Sequence, residues 1–496
     1  MTYSAAKAPF RASEGSECYL NYRGPLQIGM GPSQLKKWMT FYKTHLLNLR
    51  DQLTSTPSTD FLNTPPPASV PEDPLWTGTS IQYSPGIAAS AGLKEGLRVL
   101  DEDPEPPRAN RRRKLNASRS ARKPGVSPEI GTRILNAAHI TCDRSARTAA
   151  FPHASSSFVG RSDRSDVRAF ASQSTALTVL TDAITTEDSL NLLDPECPQR
   201  VRHLISHGGY KYIVNDINVA QAFADAEEYV YAVKVQQPRK GWAAIFMRAE
   251  NAFAAIAKYY ALEPHRRGHF KTHSFGLAMG NGSKMPHRLD QGEGEGKLHA
   301  DFLKEVEGYV RHFTASAKLW MPKLMQHYSD LQVELMGINS LLTAVFPGSP
   351  FCALTINMGP QTVCLPHRDY WNLAYGTCPI GVLGSFNHRT GGQLILHEPK
   401  LIIEVRRGDV MFIPSAAITH ENAPISVGEE RYSFTQYTAG GLFRYVWCDG
   451  RLIKELKTAD SEKYGQYVDG GEKRWLEGWA KYSTMRELVD GMKVAP

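Results

Sequence analysis

The stretch PHRDYWN, Pro366 to Asn372, sets His367 and Asp369 one residue apart, with Asn372 three residues after the aspartate. Imidazole and carboxylate are the donors of a non-haem metal site, and two histidines with one carboxylate leave one face of an octahedral Fe(II) open. The same H-x-D pattern recurs in LHAD, as His299 and Asp301, so context must separate the two. His299 and Asp301 fall in a run of helical period, where positions i and i+2 point about 200° apart and cannot converge on one ion. That pair reads as a surface coincidence. His367 and Asp369 instead follow the extended TVCLP at a strand-to-turn transition, where alternate residues share a face.

The second histidine must come from elsewhere in the chain. His420 meets that need at the end of RRGDVMFIPSAAITH, where a Gly-Asp turn starts an apolar strand and a proline breaks it. His388, in the turn FNHRTGG, and His397, ending QLILH, compete for the role. Eleven residues past His420, Arg431 begins the strand-like RYSFTQYT. Alternation puts Arg431, Ser433 and Thr435 on one face and Tyr432, Phe434 and Gln436 on the other. An interior arginine is a costly buried charge unless an anion meets it, and its planar fork suits a carboxylate. An exposed arginine beside Glu429 and Glu430, worth little, is the alternative. Of the remaining histidines, His265, His269 and His273 lie in a loop marked by Pro264 and Gly268 and read as phosphate contacts or solvated groups. His203 and His207, four apart on a helix without a nearby acid, read as structural.

The elements that position these groups show in the hydrophobic period. From about Thr175 the runs TALTVLTDAITTEDSLNLL, VAQAFADAEEYVYAVKV, GWAAIFMRAENAFAAIAKYYAL and the long segment after LHAD read as helices, with a glycine-rich loop, FGLAMGNGSKMPHRLDQGEGEGK, between them. After about Pro347 the runs FCALTINM, IGVLGSF, QLILH, LIIEVR, DVMFIP, YSFTQYT and LFRYVW are short, β-branched or aromatic, and separated by turns. They predict an antiparallel barrel or sandwich, jelly rolls included. The expected fold is thus α+β, with a helical support region at 175–345, a β core at 346–450 and a helical extension at 451–496.

Residues 1–130 differ in composition. SQLKKWMTFYKTHLLNLRDQL, behind Ser33, predicts one amphipathic helix; Pro/Ser/Thr-rich and acidic stretches then read as disordered linker. The run from Arg108 to Lys123 contains no acid and is either a solvated basic tail or a nuclear-localisation or nucleic-acid-contacting segment. Across 496 residues a net charge of +7 permits a polyanionic partner without requiring one. Seven scattered cysteines without a C-x-x-C pair fit reduced thiols in an intracellular protein and argue against a structural zinc site. Neither a signal-peptide apolar region nor a membrane-length apolar run is present, so neither secretion nor membrane spanning is expected.

Taken in order, HRD, GDVMFIPSAAITH and RYS resemble the Fe(II)/2-oxoglutarate dioxygenases of the double-stranded β-helix (jelly-roll) fold. HRDYWN together with SFTQYTAGGLFRYV resembles, more narrowly, the TET/JBP group, oxidases of 5-methylcytosine and thymine in DNA, and within it the fungal, mushroom-type TET-like branch. The resemblance spans residues from about 270 to 450. It implies that His367, Asp369 and His420 hold Fe(II), that Arg431 pairs with the distal carboxylate of the cosubstrate 2-oxoglutarate, and that Ser433 hydrogen-bonds it. Asn372 matches a position placed against a flipped base, while an asparagine capping the turn after the metal ligands stays open beside it. The cysteine-rich zinc-binding region and the long barrel insert of the animal members are missing. Implied further are a monomeric nuclear protein acting on methylated DNA, base-flipped or single-stranded, at 5-methylcytosine or N6-methyladenine. A 2-oxoglutarate oxygenase hydroxylating a protein or small molecule, or an inactive DNA-binding or transposon-associated protein, are the alternatives.

Overall fold

The computed structural model describes residues 128–142, 145, 151–162, 185–265, 267–280, 282–289 and 296–493. The expected helix behind Ser33, the linker, the arginine-rich run and residues 175–184 lie outside the described residues. In chain order these form α1 (Pro128–Leu135), β1 (Ala138–Thr141), α2 (Thr186–Asn191), α3 (Gln199–Gly208), β2 (Lys211–Ile213), β3 (Gln221–Ala224), β4 (Val230–Lys234), α4 (Trp242–Ile256), β5 (Pro264–His265), β6 (Gly268–His269), β7 (Lys271–Ala278), β8 (His287–Arg288), α5 (Gly296–Trp320) and α6 (Pro322–Ile338). There follow β9 (Ala353–Met358), β10 (Cys378–Leu383), β11 (Leu394–Leu396), β12 (Leu401–Ile403), β13 (Val410–Ile413), β14 (His420–Asn422) and β15 (Tyr432–Tyr437). The chain ends in α7 (Gly440–Trp447), α8 (Ile453–Ala459), α9 (Ser461–Asp469), α10 (Gly471–Trp479) and α11 (Met485–Lys493). No helix among them is long and apolar enough to cross a membrane.

Two sheets carry the site. The larger runs β1-β3-β4-β13-β10-β15-β9-β7-β8 and the smaller β14-β11-β12-β2. From β9 onward the chain alternates between them: β9, β10, β13 and β15 enter the large sheet, while β11, β12 and β14 enter the small one. The segment before Asp369 joins the small sheet's edge through a bridge between His367 and His420.

Alternation decides what each face buries. Leu394, Leu396, Leu401 and Ile403 enter the main core, whereas Ile395 and Ile402 pack with Val201 and Ile205 of α3 in a separate cluster. Phe434 of β15 turns away from the small sheet, 5.5 Å from the Phe313 ring and 6.0 Å from Tyr309 of α5. A Cβ on Gly381 of β10 would lie 2.5 Å from the Tyr309 hydroxyl, so only glycine lets α5 seat this closely on the sheet. The order is therefore helix, small sheet, core, large sheet, helices. Each aliphatic or aromatic side chain fully buried in these layers contributes about 1.5–3 kcal/mol.

The helical support region at 175–345 is helical only in part. VAQAFADAEEYVYAVKV is the β3–β4 hairpin, not a helix: Asp225 accepts the Glu227 and Tyr229 amides through its carboxylate and closes the turn. Both strands are buried on both faces, which erases the period-two signal and leaves an apolar run that mimics a helix. The supposed glycine-rich loop from Phe275 opens inside a strand: its first four residues end β7, which pairs with β9 over Lys271–Gly276 and with β8 at Leu277 and Ala278. LFRYVW is helix α7 rather than a strand. Its first turn, Gly440 and Gly441, is pressed against backbone: a Cβ would meet the Phe158 carbonyl at 1.7 Å and the Met279 carbonyl at 2.0 Å. The expected helical extension is present as α8 to α11.

Candidate metal centre

His367 and His420 face each other as an antiparallel pair, each amide donating to the other's carbonyl at 3.0 and 2.9 Å. Asp369 is anchored beside them by its own amide, which donates to the Ser415 carbonyl at 2.9 Å. Ligand atoms of the three residues lie within 4.8 Å of one another, the only such His/Cys/Asp/Glu group among the described residues. His367 Nε2 is 3.8 Å from Asp369 Oδ1 and His420 Nε2 is 4.0 Å from Oδ2.

The imidazoles are pre-set for ligation. His367 Nδ1 is 2.7 Å from the Leu365 carbonyl and His420 Nδ1 is 2.9 Å from that of Ile418. A carbonyl only accepts, so each Nδ1 carries the proton and each Nε2 offers its lone pair toward Asp369. Burial lowers the pKa of both rings, His367 to about 3, with His420 lowering it further and Asp369 opposing. Both are neutral at physiological pH, as ligation demands. Two imidazoles and one carboxylate converging from one side fit Fe(II), and the residues present match that ion's donor set.

Arg431 flanks the segment that leads to His367, its carbonyl accepting the Thr362 amide at 3.1 Å. It is 2% exposed; Nη1 donates to the Thr362 carbonyl at 3.2 Å, and Nε has no partner. Burial lowers its pKa to about 10, which still leaves it charged at neutral pH. Ser433, on the same strand face, accepts from Asn357 Nδ2 at 2.8 Å and keeps its own hydroxyl proton to donate. Asn422 ties Arg431 to the ligands: its side chain bonds the Thr362 carbonyl and the Cys364 amide, two strand positions from His420.

Asn372 closes the turn after the ligands, its amide donating to the Asp369 carbonyl at 2.9 Å. Its side-chain nitrogen lies 3.3 Å from both Cys378 Sγ and Ser415 Oγ, so it is built into the wall behind Asp369. The competing histidines stand elsewhere. His397 is on the outer face of the small sheet, 2.7 Å from the Tyr210 hydroxyl and 3.0 Å from Glu421, which also binds Arg200. His388 Nε2 is 3.8 Å from Glu404. His203 and His207 stack on α3 with ring centroids 4.6 Å apart.

His299 corrects an expectation. Helical geometry does separate it from Asp301, but it is buried rather than superficial, 2.8 Å from the Tyr260 hydroxyl and packed edge-on against Phe275. Three neighbours of the site escaped the reading of the sequence. Tyr437 continues the Arg431–Ser433–Thr435 face to the metal end, where Arg267 and Asp369 both act on its buried hydroxyl; extending the alternation one step finds it. Arg267 sits on the β5–β6 hairpin, whose carbonyl takes the Leu365 amide at 2.7 Å and whose charge lowers both ligand histidines. Asn422 carries no local signal beyond its spacing from His420.

No family model matches the chain, and no curated protein matches it. Among solved structures it is similar to NgTET1 in complex with 5mC DNA, at 15% identity and a TM-score of 0.35, covering 52% of this chain and 92% of that one. It is also similar to an oxidoreductase of the 2OG-Fe(II) oxygenase family from Burkholderia pseudomallei, at 15% identity and a TM-score of 0.23 over 40% of this chain and 92% of that one. A third is the viral collagen prolyl hydroxylase vCPH from Paramecium Bursaria Chlorella virus-1 in its 2OG complex, at 12% identity and a TM-score of 0.24 over 42% and 94% of the two chains.

Proposed function

We propose that this chain is an Fe(II)- and 2-oxoglutarate-dependent dioxygenase that oxidises a methylated nucleobase in DNA. One observation carries the reading: a carboxylate and two imidazoles whose Nε2 lone pairs face it are tied through Asn422 and Thr362 to a buried guanidinium whose Nε has no partner. The alternation of β9 to β15 between two sheets supports reading the core as a double-stranded β-helix.

His367, Asp369 and His420 would hold the iron, and Arg431 with Ser433 would hold the distal carboxylate of 2-oxoglutarate. Iron with 2-oxoglutarate supplies the oxidising power when bound, at the expense of dioxygen and the keto acid. The protein's own part is positional. Backbone pairing fixes both imidazoles, carbonyls hold their protons on Nδ1, and Arg431 fixes how the dicarboxylate lies. The low-dielectric wall strengthens each of these contacts.

HRDYWN and SFTQYTAGGLFRYV support the nucleobase as substrate, as does the basic Arg267, whose charge acts on both ligand histidines. A methyl group on a base inside a duplex is out of reach, so the base must be flipped or offered single-stranded. Purified protein incubated with iron, 2-oxoglutarate, ascorbate and DNA carrying 5-methylcytosine or N6-methyladenine, followed by nucleoside mass spectrometry, tests this. Oxidised base supports the reading. Succinate formed only with a peptide or small molecule replaces the substrate, and no succinate under any condition removes the activity.

A further inference from the structure

Trp371 stands apart from the other tryptophans among the described residues. Trp242, Trp320, Trp475 and Trp479 are buried and Trp447 is half-buried, whereas Trp371 is 41% exposed. An indole left in water forfeits much of the stabilisation its burial would give. This one is nonetheless held rigidly, two residues after Asp369, in the turn that Asn372 closes onto the Asp369 carbonyl.

The backbone around it is built to keep it there. The Trp371 carbonyl accepts the Gly440 amide at 2.9 Å. Gly280, at φ +151°, lies against its benzo ring, and an added Cβ would come within 3.3 Å of Cε3. Gly440 and Gly441 leave no room for side chains on the α7 side of the same loop. Tyr370 packs at 5.2 Å between ring centroids and tilted by 43°, so it braces the indole without covering it.

A fixed, solvent-facing π surface one turn from a metal ligand suits a planar aromatic group of the substrate. Resting on the nucleic-acid reading above, we infer that Trp371 is a stacking platform for an unpaired base of the substrate strand, a positioning residue that sets affinity for the nucleic acid. The match of charge favours that occupant: the chain carries a net charge of +7, and the Arg267 guanidinium on the β5–β6 hairpin acts on both ligand histidines. Stacking tolerates any base, so the platform adds affinity and orientation rather than sequence preference.

The test compares Trp371→Ala, Trp371→Leu and Trp371→Phe with wild type. Binding of a fluorescein-labelled, 5-methylcytosine-containing single strand is followed by anisotropy without iron. Oxidised base is then measured as KM and kcat, and succinate formed from 2-oxoglutarate without DNA monitors the integrity of the iron site. Alanine and leucine should both weaken binding and raise KM by about fivefold to 150-fold. Phenylalanine should stay within about threefold of wild type, with kcat and DNA-free succinate unchanged throughout. Wild type that oxidises the strand while the leucine variant binds it equally well overturns the platform and leaves the proposed function standing. Wild type that neither binds nor oxidises the strand overturns the platform, and the same failure with duplex DNA and with N6-methyladenine overturns both.

Discussion

His367 and His420 are backbone partners before they are metal ligands: two hydrogen bonds of 3.0 and 2.9 Å join their main chains, and their ring centroids lie 4.3 Å apart. The geometry of the donor set is thus written into the pairing of two chain segments. It does not depend on the ion to draw the rings together.

Removing a ligand side chain should therefore abolish metal binding without unfolding the protein. His420→Ala and Asp369→Ala are expected to bind less than a tenth of the wild-type iron or cobalt, measured by elemental analysis after gel filtration, and to form no succinate. Their far-UV circular dichroism should match wild type. A ligand variant that keeps full metal occupancy would place the ion elsewhere.

Arg431 gives an opposite pairing of effects. Its Nε lacks a partner and its Nη1 has one weak acceptor, so without an anion the buried guanidinium is a burden on the fold. Arg431→Leu should leave the melting temperature of the ligand-free protein unchanged or raised. It should also cost at least about 2 kcal/mol of 2-oxoglutarate binding, roughly 30-fold in affinity. Wild type should be stabilised by added 2-oxoglutarate in differential scanning fluorimetry, and the variant should not. A variant that is destabilised yet still responds to 2-oxoglutarate would assign Arg431 a structural role.

How much of this was legible in the sequence follows from which physical signals are local. His367 and Asp369 share an extended run, and Arg431 and Ser433 share one strand's parity, so alternation alone groups them. Parity fails where both faces of a strand are buried, as in Val230–Lys234, because inward and outward positions from Val230 to Val233 then carry the same buried, largely apolar side chains. It fails for LFRYVW as well, where an apolar and aromatic run of six is too short for length to separate strand from helix. The burial of His299 rests on a hydroxyl supplied by Tyr260, 39 residues away, and no local pattern announces such a partner.

Two glycines in helices should respond in opposite directions to alanine. Gly440 begins α7 with its Cα against the Phe158 carbonyl, where a methyl group would sit at 1.7 Å. Gly440→Ala must displace backbone and is expected to destabilise by about 2 kcal/mol or more. Gly465, inside α9, has nothing within 4 Å of the position a Cβ would take. Gly465→Ala should stabilise by about 0.5–1 kcal/mol through helix propensity. Urea denaturation of the pair measures both, and equal shifts would contradict the close approach at Gly440.

The last expectation concerns acid. His312 lies between Trp242, at 4.4 Å between ring centroids, and Arg133, and burial with that positive neighbour lowers its pKa to about 4. His327 packs on Phe443 at 4.8 Å and is also lowered to about 4, chiefly by burial and then by Lys481, with Asp330 opposing. Both are neutral in the fold at pH 6, while an unfolded chain already takes up protons there, since its histidines titrate near 6.5. Stability is then complete above pH 6.5 and falls as the pH drops toward 4, because the unfolded state binds the extra protons. Each histidine contributes a slope of at most about 1.4 kcal/mol per pH unit across that window. Urea midpoints at pH 7.5, 6 and 5 should decline in wild type and decline less in His312→Gln and His327→Gln. Parallel lines for the three proteins would show that neither imidazole is held neutral by its surroundings.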